Sequence, residues 1–248
     1  MIGDNIIELD ETTSTNRFTS ELLGKDKLPD GTVIMACYQN CGKGAGDNKW
    51  ESEVGKNLTI SIVLYPIFLP LERQFMLNKM VSLGVYDMIC KLVNNPLKVK
   101  IKWPNDIYVE NKKISGILIE NAIIGNTFQH SIFGIGININ QEVFYSNAAN
   151  PVSLKNITGK EFDLKHCLKL LCACIEERYE ILRSDGSDLL DDDYISALYR
   201  KGESALYVYK NEMISAIIIG ISVEGMLILE TMDKKIIECD FKEIVYIL

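Results

Sequence analysis

The chain has no excess of positive charge. Its 248 residues carry 26 Lys and Arg against 34 Asp and Glu, a formal net charge of −8. A nonspecific nucleic-acid binder needs a basic surface to neutralise phosphates, so that class is excluded, although a small basic pocket is not. Metal-ligating chemistry is also scarce. There are two histidines, His130 and His166, and seven cysteines without a CxxC pair, which argues against a structural zinc site. Cys172 and Cys174 lie two apart in an expected helix and point in different directions. No histidine stands in a companion motif to any cysteine, so thiol catalysis has no support. The thiols are expected to be reduced, in a cytoplasmic protein. No apolar run approaches the roughly 18–20 residues of a membrane helix, and MIGDNIIEL at the start lacks the basic and apolar regions of a signal peptide.

What is present has an ordinary globular balance, 47% hydrophobic and 24% charged. Strands are expected at Ile6–Leu9, Thr32–Tyr38, Asn57–Tyr65, Lys98–Trp103, Ile107–Val109, Ile114–Glu120 and Phe128–Asn138, from apolar alternation and β-branched content. Apolar residues three to five apart predict a long helix over Leu71–Val93, and further helices over Leu164–Leu182 and Asp188–Tyr199. The acidic run Asp191–Asp193 is expected on a solvated face. At Lys201–Gly202 the texture changes to five short β-rich runs, expected to form a small five-stranded barrel. A boundary is therefore set near residue 200, giving domains 1–200 and 201–248. The chemistry-bearing text begins within the first twenty residues, which leaves no room for an N-terminal DNA-binding segment.

Four stretches carry candidate chemistry. TSTN (13–16) is either a helix cap or a set of small hydrogen-bonding groups that grip a polar ligand head, with Gln39 available for the same task. QNCGKGAGDNKW (39–50) is glycine-rich; its N–H groups can turn toward one anion, Lys43 adds charge, and Trp50 closes it. It matches neither a Walker A loop nor GxGxxG. In KWPNDIYVENKKISG (102–116), Pro104 restricts Trp103 to extended geometry, and Lys102, Lys112 and Lys113 come from ends of adjacent strands. They can converge on one anionic group, with Asp106 as a magnesium ligand. Alternation sends Lys112 to the opposite side from Lys113. In GIGININ (134–140), Gly134 and Gly136 permit close approach and Asn138 adds a polar group.

In order, STN, YQ-(x)2-GKG-(x)5-W, KNLTISIVL, KWPNDIYV-(x)2-KKISGILIE and GIGINI resemble the biotin–protein ligases (biotin–[acetyl-CoA-carboxylase] ligases), in the short form without a DNA-binding domain. The resemblance implies an α+β fold, a mixed β-sheet flanked by helices of the class II synthetase-like type, with a C-terminal SH3-like barrel. It implies biotin and Mg-ATP as substrates, a biotinyl-5′-AMP intermediate, and transfer to one lysine of a biotin carboxyl carrier protein or domain of a biotin-dependent carboxylase, by a monomer or homodimer. Ser14, Thr15, Asn16 and Gln39 match the family's biotin-head contacts, and Gly42, Lys43 and Gly44 its biotin and adenylate loop. Lys113 matches its reactive-centre lysine, Lys102 a phosphate contact, and Asp106 a metal-linked carboxylate. Trp50, Asn105 and Asn138 match nucleotide-side contacts, and Gly116 a close approach to biotin. A lipoate or octanoate transferase of the same fold and a non-catalytic biotin- or nucleotide-binding module are the alternatives. The loop departs from the family's arginine-rich pattern: Lys43, Ala45, Asp47 and Asn48 stand where arginines and a glycine are usual, which implies a looser hold on the adenylate.

Overall fold

The computed structural model describes residues 1–44, 46, 48–145, 150–184 and 186–247. Ala45 and Asp47, two of the loop's departures from the family pattern, lie outside the described residues.

Twelve strands and five α-helices are described. β1 (Ile6–Thr12), α1 (Thr15–Leu23) and β2 (Val33–Gln39) make a crossover unit, so β1 and β2 pair in parallel. β3 (Leu58–Leu64), β4 (Val99–Lys102), β5 (Asp106–Val109), β6 (Lys112–Ile124) and β7 (Thr127–Ile137) pair antiparallel, giving a seven-stranded mixed sheet of order β1-β2-β3-β7-β6-β5-β4. α2 (Phe75–Leu92) packs on β4, β5 and β6, and α4 (Leu164–Arg183) and α5 (Ser187–Ala197) pack on α2. Ile62, Leu77, Met80, Ile101, Ile107, Leu171 and Ile175 are buried within this layer. The sequence-based strands and long helices stand within a few residues of their expected ends. The short α3 (Leu154–Thr158) was not expected, because one turn of helix has no periodicity to show; a Ser153–Asn156 capping box opens it and Gly159 closes it in the left-handed region.

Two expectations need correction. The acidic run is not simply solvated. Asp191 pairs with the buried Lys79 at 2.8 Å, and Arg178 bridges Asp87 and Asp193. These pairs pin α5 to α2 and α4, and pattern alone could not show them because the cations lie some 15 and 112 positions away in sequence. Asp191→Ala is expected to destabilise the fold by about 1–2 kcal/mol in denaturant unfolding, less than for a fully buried pair because Asp191 is partly wet. Second, the C-terminal strands β8 (Ser204–Tyr209), β9 (Glu212–Ile221), β10 (Leu227–Thr231), β11 (Ile236–Cys239) and β12 (Ile244–Tyr246) form an antiparallel sheet of order β11-β10-β9-β8-β12, not a closed barrel. The three-residue β12 spends its ladder bonds on β8. Among the described residues, no ladder joins it to β11.

Buried thiols agree with a packing role. Burial pushes Cys167, Cys172 and Cys239 up to about 11, so they resist ionisation.

Candidate active site

A cleft of about 700 Å³ runs across one face of the mixed sheet. Its floor follows from register. Gly136 on β7 lies opposite Gly116 on β6, and Gly134 lies opposite Leu118. These glycines face inward, and each keeps a space that another group fills. A Cβ on Gly136 would sit 2.3 Å from the Trp50 indole, and a Cβ on Gly134 would sit 2.4 Å from Asn16 Oδ1.

At one end of the cleft, α1 begins. Ser14 occupies the N-cap with extended backbone, but its hydroxyl makes no capping bond; the Gln39 side-chain oxygen accepts from the Thr15 N–H at 2.7 Å instead. Ser14 is thus buried with its hydroxyl not committed to the helix. Asn16 is held on three sides. It accepts from Ser61 Oγ at 2.6 Å and donates to Glu120 Oε2 at 2.8 Å and to the Leu118 carbonyl at 3.3 Å.

The glycine-rich loop folds back on itself, which its composition did not indicate. Lys43 and Lys49 bridge antiparallel, Gly44 N–H donates to the Asn48 carbonyl, and Trp50 N–H donates to the Gly42 carbonyl. Two like charges opposite each other repel. Both lysines line the cleft, and neither has an ion-pair partner among the described residues. Such a pair favours an anion between or above its ends. Gly42 itself does not line the cleft: it lets the Trp50 carbonyl pass where a Cβ would come within 2.6 Å. Trp50 lies over Gly116 and Gly136, its indole N–H buried without a partner among the described residues.

Lys113 reaches the cleft because of an irregularity. The β5–β6 ladder pairs Ile107 with Ser115 but Tyr108 with Lys113, so Ile114 is an extra residue. This bulge shifts the alternation and re-aims Lys113 to the side of Tyr108 and Gly116. Both backbone groups of Lys113 are then tied to the 150–152 segment, to the Asn150 carbonyl and the Val152 N–H. Lys113 Nζ meets Asp106 Oδ1 at 2.7 Å. Lys112 is exposed on the other side, as alternation required. Asn105 donates to the Ile117 carbonyl at 2.9 Å from the same rim. Lys102 lies between two aromatic faces, 4.9 Å from the Tyr246 ring centre and 5.3 Å from that of Tyr108. Burial holds its ammonium below the usual lysine range; Asp106 opposes that shift, and Lys113 and Arg200 reinforce it.

Of the sequence-based candidates, Ser14, Thr15, Asn16, Gln39, Lys43, Gly44, Trp50, Lys102, Asn105, Asp106, Lys113 and Gly116 all line this cleft. Gly42 and Asn138 do not. Asn138 is buried behind β6, donating from its backbone to the Ile114 carbonyl and from its amide to the Val152 carbonyl, with Oδ1 left without a partner among the described residues. Tyr108, Lys49 and Phe241 line the cleft without having been singled out. Register against Lys113 marks Tyr108 and the loop's second cation marks Lys49, but nothing in the sequence points to Phe241. Charge in the cleft is sharply unlike that of the chain: Lys43, Lys49, Lys102 and Lys113 face one carboxylate, Asp106, among the described lining residues. The arrangement suits a ligand with an apolar body at the glycine floor and anionic groups at the lysines.

Residues 8–138 match the model of the biotin/lipoate A/B protein ligase family. The chain is similar to the bifunctional ligase/repressor BirA of Bacillus subtilis, 29% identical over 98% of this chain and 75% of that protein. It is similar also to the biotin–[acetyl-CoA-carboxylase] ligase of Paracoccus denitrificans, 27% identical over 89% of this chain and 92% of that one. Among solved structures, the biotin protein ligase from Aquifex aeolicus in complex with biotin and ATP superposes with a TM-score of 0.80 at 28% identity, covering 98% of each chain.

Proposed function

The chain belongs to the biotin/lipoate A/B protein ligase family, and on that premise we propose that it is an ATP-dependent biotin–protein ligase, which makes biotinyl-5′-AMP and passes biotin to a lysine of a biotin carboxyl carrier protein. The observation that carries this reading is the junction of two chemistries in one cleft: a glycine floor under Trp50 and Asn16, joined at Lys113 to a lysine-rich rim. In the first step a biotin carboxylate oxygen bonds to the α-phosphorus of ATP, and the bond to the β-phosphate breaks to release pyrophosphate. Two anions must meet, and the carboxylate needs no activating base, so the barrier is mainly electrostatic. Lys113 stands where it can touch both carboxylate and α-phosphate; Lys102, Lys43 and Lys49 neutralise the remaining phosphate charge. In the second step the carrier amine attacks the mixed anhydride carbonyl, AMP leaves, and the amine loses a proton.

Magnesium fits this residue set. Among the described residues no group of three or more acidic, His or Cys side chains gathers. One carboxylate with substrate phosphates and water is a usual Mg²⁺ shell, and Asp106 would supply that carboxylate. The ion would screen the phosphates. No helix among the described residues is long and apolar enough to cross a membrane.

Biotin-dependent pyrophosphate release tests the proposal. Release is expected with biotin and not with lipoate or octanoate; equal release with lipoate would favour the transferase alternative, and binding of biotin without release the non-catalytic one.

A further expectation follows from Lys102. Its depressed pKa means that the folded protein binds its proton less well than the unfolded chain. Stability attributable to this group is therefore reduced at neutral pH and recovers as pH rises from the folded value toward about 10.4. Lys102→Met is expected to raise the melting temperature of the unliganded protein while raising KM for ATP by about tenfold, the loss of one charge-assisted contact. Thermal unfolding beside steady-state kinetics checks both halves.

A further inference from the structure

Trp103, Pro104, Asn105 and Asp106 run from the end of β4 into the start of β5, and each is tied to a different part of the fold. Trp103 Nε1 donates to the Gly225 carbonyl at 2.9 Å, in the turn between β9 and β10. Asn105 donates to the Ile117 carbonyl on β6, and Asp106 Oδ1 meets Lys113 Nζ at 2.7 Å. The fourth tie comes from a residue that does not line the cleft. Tyr194 on α5 donates its hydroxyl to the Pro104 carbonyl at 2.6 Å. Proline has no N–H, so this carbonyl is the only hydrogen-bonding group that Pro104 offers. Tyr194 is fully buried, and its ring meets that of Phe75 edge-on, with centres 6.0 Å apart. Burial pushes its phenol well above the usual tyrosine range, so the hydroxyl keeps its proton and remains a donor.

We propose that Tyr194 is a positioning residue for adenylate formation: by fixing the Pro104 carbonyl it sets Asp106, and through Asp106 the ammonium group of Lys113. The proposal rests on the ligase reading above. Lys113 carries its charge at the end of a long, flexible stem, and its Nζ is held at the junction by Asp106. Asp106 is only two residues beyond Pro104, so rotation of the Pro104 carbonyl away from Tyr194 moves the start of β5 and the carboxylate with it. A buried carbonyl that loses its donor is driven to rotate, because it has exchanged water for nothing. The reacting groups tolerate little of this, since a misplacement of about 1 Å can cost ~10²-fold in rate. The helix that carries Tyr194 is itself anchored twice, by Asp191 to Lys79 of α2 and by Asp193 to Arg178 of α4. A fully buried side chain on α5 thereby reaches the cleft through one backbone carbonyl and one carboxylate.

The test is steady-state, biotin-dependent pyrophosphate exchange by Tyr194→Phe, which keeps the ring and its contact with Phe75 and removes only the hydroxyl. Its kcat is expected to fall about tenfold, within the range of a small misplacement, with KM for biotin unchanged. Asp191→Ala is the control for general loosening of α5, since it leaves the Tyr194 bond and the Arg178–Asp193 pair in place; it should lower the melting temperature and keep the wild-type kcat. A double-mutant cycle asks whether Tyr194 acts through Lys113: in a Lys113→Ala background, Tyr194→Phe should cost little or nothing further. A wild-type kcat in Tyr194→Phe overturns the proposal, and so does an equal loss in Asp191→Ala. A full tenfold loss in the Lys113→Ala background overturns it too, because the hydroxyl would then act elsewhere. If the wild type shows no biotin-dependent exchange, the ligase reading fails and takes this proposal with it, a result distinct from a silent Tyr194→Phe beside an active wild type.

Discussion

Lys113→Ala is expected to lower kcat for biotin-dependent pyrophosphate exchange by about 10²–10³-fold, the loss seen when one donor aimed at developing charge is removed. Several elements of the fold converge to place one ammonium group. A β-bulge turns Lys113 to the cleft side, the 150–152 segment fixes its backbone from the other edge, and Asp106 holds its Nζ at 2.7 Å. The group acts at the junction where two anions meet, so the loss falls mainly on kcat and less on either KM. Lys112→Ala is the internal control. One residue away but exposed, it should stay within about 0.5 kcal/mol of the wild type in stability and retain activity. Full activity in Lys113→Ala, or equal losses in both variants, would show that the junction lies elsewhere.

Gly136→Ala and Gly134→Ala are each expected to raise KM for biotin by about 10²-fold, at the upper end of the ~1–3 kcal/mol cost of overpacking. The new methyl of Gly136→Ala would sit 2.3 Å from the Trp50 indole. Trp50 must then leave the floor, although its backbone N–H is tied to the Gly42 carbonyl. The methyl of Gly134→Ala would meet Asn16 at 2.4 Å, where three hydrogen bonds leave the amide no room to yield. Gly220→Ala makes a fair comparison, since nothing lies within 4 Å of that site. Calorimetric titration with biotin separates the cases; unchanged affinity in both floor variants would place biotin away from the glycines.

Much of this site was legible in the sequence, and the reasons differ by element. KWPND followed by KKxxG encodes a hairpin, and alternation was enough to part Lys112 from Lys113. The direction of Lys113 was not legible in full, because a bulge is a property of the pairing, not of one strand. Gly134 and Gly136 announced close approach, but their partners Asn16 and Trp50 are more than 80 positions away. TSTN looked like a helix cap, yet the cap comes from Gln39, freeing Ser14. The glycine loop showed no pattern, since two residues of ladder between lysines leave no periodic trace. Asn138 was expected at the ligand and instead supports the segment behind Lys113. Phe241 and the Lys79–Asp191 pair were invisible because they depend on which distant elements the fold brings together. The five C-terminal strands were legible, whereas their open arrangement was not: alternation gives strands, but closure depends on which edges still have free ladder groups.

The most direct test of the account is the mass of a purified biotin carboxyl carrier domain after incubation with this protein, biotin, Mg²⁺ and ATP. The account predicts a gain of one biotinyl group on a single lysine, requiring both biotin and ATP and lost in Lys113→Ala. No gain in mass, or a gain of equal extent when lipoate replaces biotin, would contradict it.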